Sequence, residues 1–239
     1  MSLETQKIRH TLVSQNIEDL KRNGFVLIDG FLNSDELKNI LVEYDRIFDI
    51  IPDKREAHIT SPGEIGLDAE NSYSPGKSLR VLPPGYNHFP SLMKIFNTNY
   101  MQNVVEEYCG PKSDFMLQIF MSQEYNICSG EEQWARNNWL HWDPYPALKM
   151  FLYLTDVPEK SCATHVISGT QKIGRKHRLN TSLSNQTGWR RGVPNRLEDF
   201  TKIPEYTNND AMPIFAQAGS LLLFDTDLLH YGGLVLKEG

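Results

Sequence analysis

The sequence predicts a mainly β domain with flanking helices, the helices packed on a β-sandwich or barrel. Three observations carry this reading. Apolar residues recur at helical spacing up to about residue 110, short alternating or apolar runs take over from about residue 114, and turn-forming residues separate those runs. The 239 residues are enough for a substantial core without disulfide or metal staples. Sandwich and barrel domains of about 200–250 residues are common as single units. The chain, 1–239, therefore reads as one domain, with a mostly helical part over about 4–110 packed on a core over about 114–239.

Each element has its own signal. Residues 4–22 carry Ile8, Leu12, Ile17 and Leu20 on one helical face, and Gly24 is the stop. Gly24 to Asp29 is a short apolar strand. Asn33 then caps a second helix, and Glu36, three residues on, completes a capping box ahead of Leu37, Ile40, Leu41, Tyr44 and Ile47. Residues 50–90 are rich in Pro, Gly, Ser and charge and read as a long irregular loop. Leu92 to Tyr108 reads as one further helix, ended by Gly110-Pro111. Phe115, Leu117, Ile119 and Met121 then alternate with their neighbours as in a strand, and Ala147 to Thr155 and Ser220 to Asp225 are two more. Thr164 to Ile167, Pro213 to Gln217 and Leu234 to Lys237 are shorter candidates.

Composition excludes several classes of function. The longest apolar runs, such as Leu221 to Phe224, fall far short of the roughly 20 residues that span a bilayer. Met1 to Arg9 is polar and has no secretory-signal pattern. Cys109, Cys128 and Cys162 are widely spaced, form no Cys-x-x-Cys pair, and read as free thiols, so a cytoplasmic location is expected. The formal net charge of −6 conceals an asymmetry: residues 172–202 carry +6 and the rest of the chain −12. An acidic body with one basic segment is a poor match for nucleic acid but can attract a small anion. The expected partner is therefore a small molecule, anionic if it answers to that segment, with neither nucleic acid nor membrane.

The chemistry concentrates at Trp139-Leu140-His141-Trp142-Asp143. Side chains at i and i+2 of an extended segment face the same way, so His141 and Asp143 present an imidazole and a carboxylate to one point. His230, after the strand ending at Asp225 and before Gly232-Gly233, is the best third ligand. Together they would make the 2-His-1-carboxylate set that holds non-haem Fe(II) and leaves positions open. His-x-Asp is a short motif that arises by chance, and context decides its weight.

That context resembles the phytanoyl-CoA dioxygenase-like family of Fe(II)/2-oxoglutarate-dependent oxygenases. The segment LHWD…FLYLTDV, from Leu140 to Val157, is similar to that family's first ligand region, and AGSLLLFDTDLLHYGG, from Ala218 to Gly233, to its second. NGFVLIDGFLNSDELKNI, from Asn23 to Ile40, is similar to its opening strand and helix. The family's substrate-side region is matched only loosely, by Ser161 to Thr164 and Ser168 to Thr170. The resemblance implies a double-stranded β-helix, the jelly roll of cupin-like proteins. It implies Fe(II) on His141, Asp143 and His230, with 2-oxoglutarate and O2 as cosubstrates, and hydroxylation of a small molecule with release of succinate and CO2. Asp143 points to hydroxylation in particular, because related halogenating enzymes have a non-ligating residue at that position.

One feature departs from the family. An arginine that pairs with the far carboxylate of 2-oxoglutarate is expected about ten residues beyond the distal histidine, and a guanidinium suits a carboxylate by its rigid fork. The last arginine here is Arg196, and Gly239 ends the sequence nine residues after His230. Three expectations follow. The sequence is cut before that arginine, the favoured one because Leu234-Val235-Leu236 reads as a strand interrupted. Alternatively, Lys237 or an arginine of the basic segment replaces it, or 2-oxoglutarate use has been lost.

Other residues fall into place around the triad. Gln118 on the preceding strand, and Lys149 and Tyr153, which share the parity of His141 and Asp143, are expected to face the cosubstrate together with Lys237. Trp139, Tyr145, Arg190 and Arg191 are expected on the substrate side. Asp225 and Asp227 are spare carboxylates that would orient an imidazole. Trp142 points away from the metal by alternation, and His165 and His177 have no partner spacing and read as structural or surface residues. Two competing functions remain: a catalytically inert jelly-roll protein that binds a ligand or partner, and a cupin-like metalloenzyme that does not use 2-oxoglutarate.

Overall fold

The computed structural model describes residues 15–53, 55–63, 65–70, 77–83, 85–111, 119–123, 140–143, 146–159, 161, 163–176 and 206–232, without the side chains of 68–70, 119, 120, 122 and 123. In chain order the elements are α1 (15–23), β1 (Phe25–Ile28), α2 (Ser34–Phe48), β2 (Arg55–Ile59), β3 (Gly66–Glu70), β4 (Lys77–Val81), α3 (Pro90–Phe96), α4 (Asn99–Cys109), β5 (Ile119–Gln123), β6 (Leu148–Leu152), β7 (Thr164–Val166), α5 (171–176), β8 (Met212–Ile214), β9 (Leu221–Asp225) and β10 (His230–Gly232). Two compact units divide the chain: Met1–Phe31 with Asn137–Gly233, and Leu32–Arg136 with Leu234–Gly239.

The first unit is a jelly-roll core of two three-stranded sheets, β1-β9-β6 and β10-β7-β8, with every pairing antiparallel. Leu221 to Asp225 is buried at every position, as the middle strand of its sheet should be. Phe25 and Leu27 of β1, Leu222 and Phe224 of β9, Val166 of β7 and Ile214 of β8 pack into one apolar cluster between the sheets. Register follows from this packing. Phe224 sits opposite both Phe25 and Lys149, and Leu222 opposite both Leu27 and Phe151, so Lys149 and Phe151 share the face of Phe224, with Phe151 exposed. Gly24 turns α1 into β1 at φ +82°, and a Cβ there would lie 2.6 Å from Leu228 Cδ1, so only glycine fits. Gln171 Nε2 donates to the carbonyls of Lys21 and Arg22, satisfying the end of α1.

The second unit is built on a four-stranded sheet, β3-β2-β4-β5, in which β2 and β4 run parallel and the other pairs antiparallel. Ala57, Ile59, Leu79 and Val81 form its buried face. The capping box of α2 is present as expected: Asn33 Oδ1 accepts from the Glu36 amide, and Glu36 Oε2 accepts from the Asn33 amide. Glu43 of α2 accepts from the amides of Ser91 and Leu92 and so caps α3, whose own N-cap residue, Phe89, has no side chain for the task.

Two expectations need correction. Residues 50–90 are not one irregular loop: they contain β2, β3, β4 and a 3-10 turn at Gly85–His88. The Pro, Gly and Ser residues that suggested a loop mark connections between short strands, whose parallel pairing is non-local and leaves little periodicity to read. Among the described residues, this part of the chain therefore carries strands as well as helices. The helix expected over Leu92 to Tyr108 is two, because Thr98 stops α3 and its Oγ1 accepts from the Met101 amide to start α4. Among the described residues, no helix is long and apolar enough to cross a membrane.

Candidate metal centre

A short backbone bridge builds the site. The amide of His141 donates to the His230 carbonyl at 2.9 Å, and the His230 amide returns to the His141 carbonyl at 2.8 Å. Alternation then sorts the side chains. Leu140 and Trp142 on one segment, and Leu229 and Tyr231 on the other, pack with Ile167 into an apolar cluster. His141, Asp143 and His230, at the intervening positions, turn the other way. The alternation expected for Trp142 is met: it is 2 % exposed within that cluster.

His141, Asp143 and His230 each offer one ligand atom within 4.8 Å of the others. The two imidazole rings lie 4.5 Å apart, and His230 Nε2 is 4.0 Å from Asp143 Oδ1. His230 Nδ1 lies 2.7 Å from the Leu228 carbonyl. A carbonyl can only accept, so Nδ1 carries the proton and the Nε2 lone pair faces Asp143. Asp143 is oriented through its own amide, which donates to the Thr226 carbonyl at 2.9 Å. Lys149 Nζ lies 2.5 Å from its Oδ2 and 5.7 Å from the centre of the Phe224 ring. Phe224 in turn meets His230 edge-on at 5.1 Å.

The protonation states leave lone pairs available at the site. Burial pushes His230 down to about 3, helped by neighbouring His141 and Lys149 and opposed by Asp143 and the Leu228 carbonyl. Burial works to raise Asp143, but Lys149, His230 and His141 together outweigh it and hold the carboxyl below its usual range. At neutral pH the site thus offers a neutral imidazole and a carboxylate. Two imidazoles and one carboxylate this close are a donor set that fits a divalent metal of the Fe(II) type.

Of the other expected residues, Lys149 reaches the site directly. Tyr153 packs beside the cluster that contains Phe224, and its amide donates to the Ser220 carbonyl at 3.0 Å. Asp225 and Asp227 lie in the turn before His230, where Asp225 Oδ1 accepts from the Asp227 amide at 2.9 Å and both carboxylates meet Arg175. His230 Nδ1 takes a backbone carbonyl as its partner. Gln118, Trp139, Tyr145, Arg190, Arg191 and Lys237 lie outside the described residues. His165 stacks on Tyr231 at 4.4 Å, in keeping with a structural role. Sequence reasoning missed Thr226, whose carbonyl holds Asp143 and whose hydroxyl accepts from the Ala147 amide at 2.7 Å, and it missed Arg175. Thr226 has no local signal, since its partners are about eighty residues away. Arg175 had only its membership of the basic segment.

The sequence profile described as phytanoyl-CoA dioxygenase (PhyH) matches residues 20–235. No curated protein sequence matches the chain. Among solved structures, it is similar to SnoK, a non-haem α-ketoglutarate-dependent carbocyclase from nogalamycin biosynthesis, with a TM-score of 0.60, 12% identity, and coverage of 97% of this chain and 81% of that one. The epimerase SnoN, solved with Fe3+, α-ketoglutarate and nogalamycin RO, aligns with a TM-score of 0.56, 14% identity, and coverage of 96% and 80%. EvdO2 from Micromonospora carbonacea var. aurantiaca, solved with 2-oxoglutarate, aligns with a TM-score of 0.53, 12% identity, and coverage of 94% and 85%.

Proposed function

We propose, from the premise that this chain belongs to the phytanoyl-CoA dioxygenase family, that it is an Fe(II)/2-oxoglutarate-dependent hydroxylase of a small molecule. The observation that carries the reading is the convergence of His141, Asp143 and His230 on one point in the jelly-roll core. These three residues would hold the iron. Bound there, the metal and 2-oxoglutarate supply the oxidising chemistry, with O2 consumed and succinate and CO2 released.

The chain's own residues prepare that chemistry. The Leu228 carbonyl fixes the His230 tautomer and keeps its Nε2 lone pair available. The Thr226 carbonyl and Lys149 fix Asp143 from two sides. Lys149 also places a positive charge beside the triad, where it can meet a carboxylate of the cosubstrate. Phe224 and the cluster behind it exclude water from the inner side of His230. Gln118, Tyr153 and Lys237 are proposed on the cosubstrate side. Trp139, Tyr145, Arg190 and Arg191 are proposed on the substrate side, with a negative charge on the substrate to match the basic segment. Asp225 and Asp227 are proposed to act on His230 through the turn that carries it. SnoK and SnoN, named as a carbocyclase and an epimerase, make the outcome at the substrate carbon the point to test.

Anaerobic Fe(II) titration followed by exposure to O2 decides the matter. The expected result is one iron per chain, uptake lost in His230→Ala, and succinate formed from 2-oxoglutarate with a product that has gained one oxygen atom. Absence of metal uptake would sink the reading in favour of an inert binding protein. Iron uptake with indifference to 2-oxoglutarate would favour the cupin-like alternative.

A further inference from the structure

We propose that Arg175 is a positioning residue for the metal centre: its guanidinium clamps Asp225 and Asp227, and so holds the 225–229 turn from which both Asp143 and His230 take their orientation. This rests on the reading of His141, Asp143 and His230 as ligands.

The turn is a hub. Its Thr226 carbonyl accepts from the Asp143 amide at 2.9 Å, and its Leu228 carbonyl lies 2.7 Å from His230 Nδ1. A shift of this one turn therefore moves two ligands. The turn is held internally by the Leu228 amide on the Asp225 carbonyl, 2.9 Å, and by the Asp227 amide on Asp225 Oδ1, 2.9 Å. From outside it is held by α5 and the residue before it. The Leu229 amide donates to Thr170 Oγ1 at 3.0 Å, while Arg175 Nε meets Asp227 Oδ2 at 3.3 Å and Arg175 Nη2 meets Asp225 Oδ2 at 3.2 Å. The approach is close: a Cβ on Gly174 would lie 2.0 Å from the Asp227 carbonyl oxygen.

The charge arrangement explains why an arginine is needed. Asp225 is 3 % exposed and Asp227 is fully buried. Two neighbouring carboxylates withdrawn from water repel each other and lack hydration, and both effects push the turn apart. One planar guanidinium, with donors on separate nitrogens, can serve both carboxylates at once where an ammonium serves as a point charge. The side chain is half exposed, yet its donors turn inward onto buried groups. One cation of the basic segment is thus assigned to the metal centre's support.

The test compares Arg175→Gln and Arg175→Lys with the unaltered chain, using amide hydrogen exchange and Co(II) titration. In Arg175→Gln the amides of Asp143 and His230 should exchange about tenfold faster or more, while those of Leu222 and Leu223 in β9 keep their protection. Co(II) affinity should fall by roughly 10–100-fold, the usual loss on removing a group that orients a ligand. Arg175→Lys should fall between, and it serves alone if Arg175→Gln does not fold. Unchanged exchange at Asp143 and His230 would overturn the clamp. So would equal loosening of β9, because that is a general stability effect. If the unaltered chain takes up no Co(II), the ligand reading fails, and the exchange comparison still decides whether Arg175 holds the turn.

Discussion

Glu43 and Asp143 are carboxylates largely withdrawn from water, one in each unit, and their surroundings use them differently. Both oxygens of Glu43 accept backbone N–H groups of α3, so its lone pairs are spent on a helix terminus. Asp143 has one oxygen toward the Lys149 ammonium and the other 4.0 Å from an imidazole nitrogen that carries a lone pair. Two lone-pair donors facing each other repel unless a cation lies between them, whereas a carboxylate facing amides is already satisfied. The comparison teaches that burial of a charge does not mark a site; the identity of what it faces does.

Three measurements can break or sharpen this contrast. The largest effect is expected from acid. His230 has a folded-state value near 3 against about 6.5 when unfolded, so the unfolded chain binds a proton that the folded chain refuses. Stability is present in full above about pH 6.5 and is lost as pH falls toward 3, by an amount on the order of 5 kcal/mol. Asp143, held below its usual range, adds a loss in the same direction at lower pH, as it is protonated. Denaturant melts of the metal-free chain across that range should show the decline, and His230→Gln should flatten it. A decline equally steep in His230→Gln would remove the electrostatic distinction of the unit that carries His230.

The next effect lies in the other unit. Glu43→Ala leaves the Ser91 and Leu92 amides without their acceptor and should cost about 2 kcal/mol, read as a lower denaturant midpoint. Co(II) affinity should stay unchanged; a tenfold loss would show that Glu43 is not confined to a structural role. The smallest is Asn33→Ala, which removes half of the α2 capping box and should cost about 1 kcal/mol by the same melt. A change under a tenth of that would mean the box adds nothing to α2.

Legibility followed the range of the interactions involved. The Asn33–Glu36 box spans three residues and was readable, as were the strands of β6 and β9, whose apolar runs exceed what turns contain. The triad was readable for a similar reason. His141 and Asp143 share a face through period-two spacing, and His230 stands next to a strand boundary. β2 and β4 were not, since their parallel pairing joins Arg55–Ile59 to Lys77–Val81 across a stretch whose composition speaks only of turns. The break between α3 and α4 at Thr98 was missed because apolar spacing continues across it.

By itself the sequence determined the apolar runs, the helix caps, and the presence of two imidazoles and a carboxylate on strand-like segments. These depend on residue type and on neighbours within a few positions. Folding alone decided what orients those side chains: the Leu228 carbonyl on His230, the Thr226 carbonyl on Asp143, Lys149 against Asp143, and Arg175 across Asp225 and Asp227. The Thr226 and Arg175 contacts join segments about fifty to eighty residues apart, and the Leu228 and Thr226 contacts use backbone carbonyls, which every residue possesses. No side-chain pattern can announce a carbonyl, so the support of the site becomes visible only when the chain is folded.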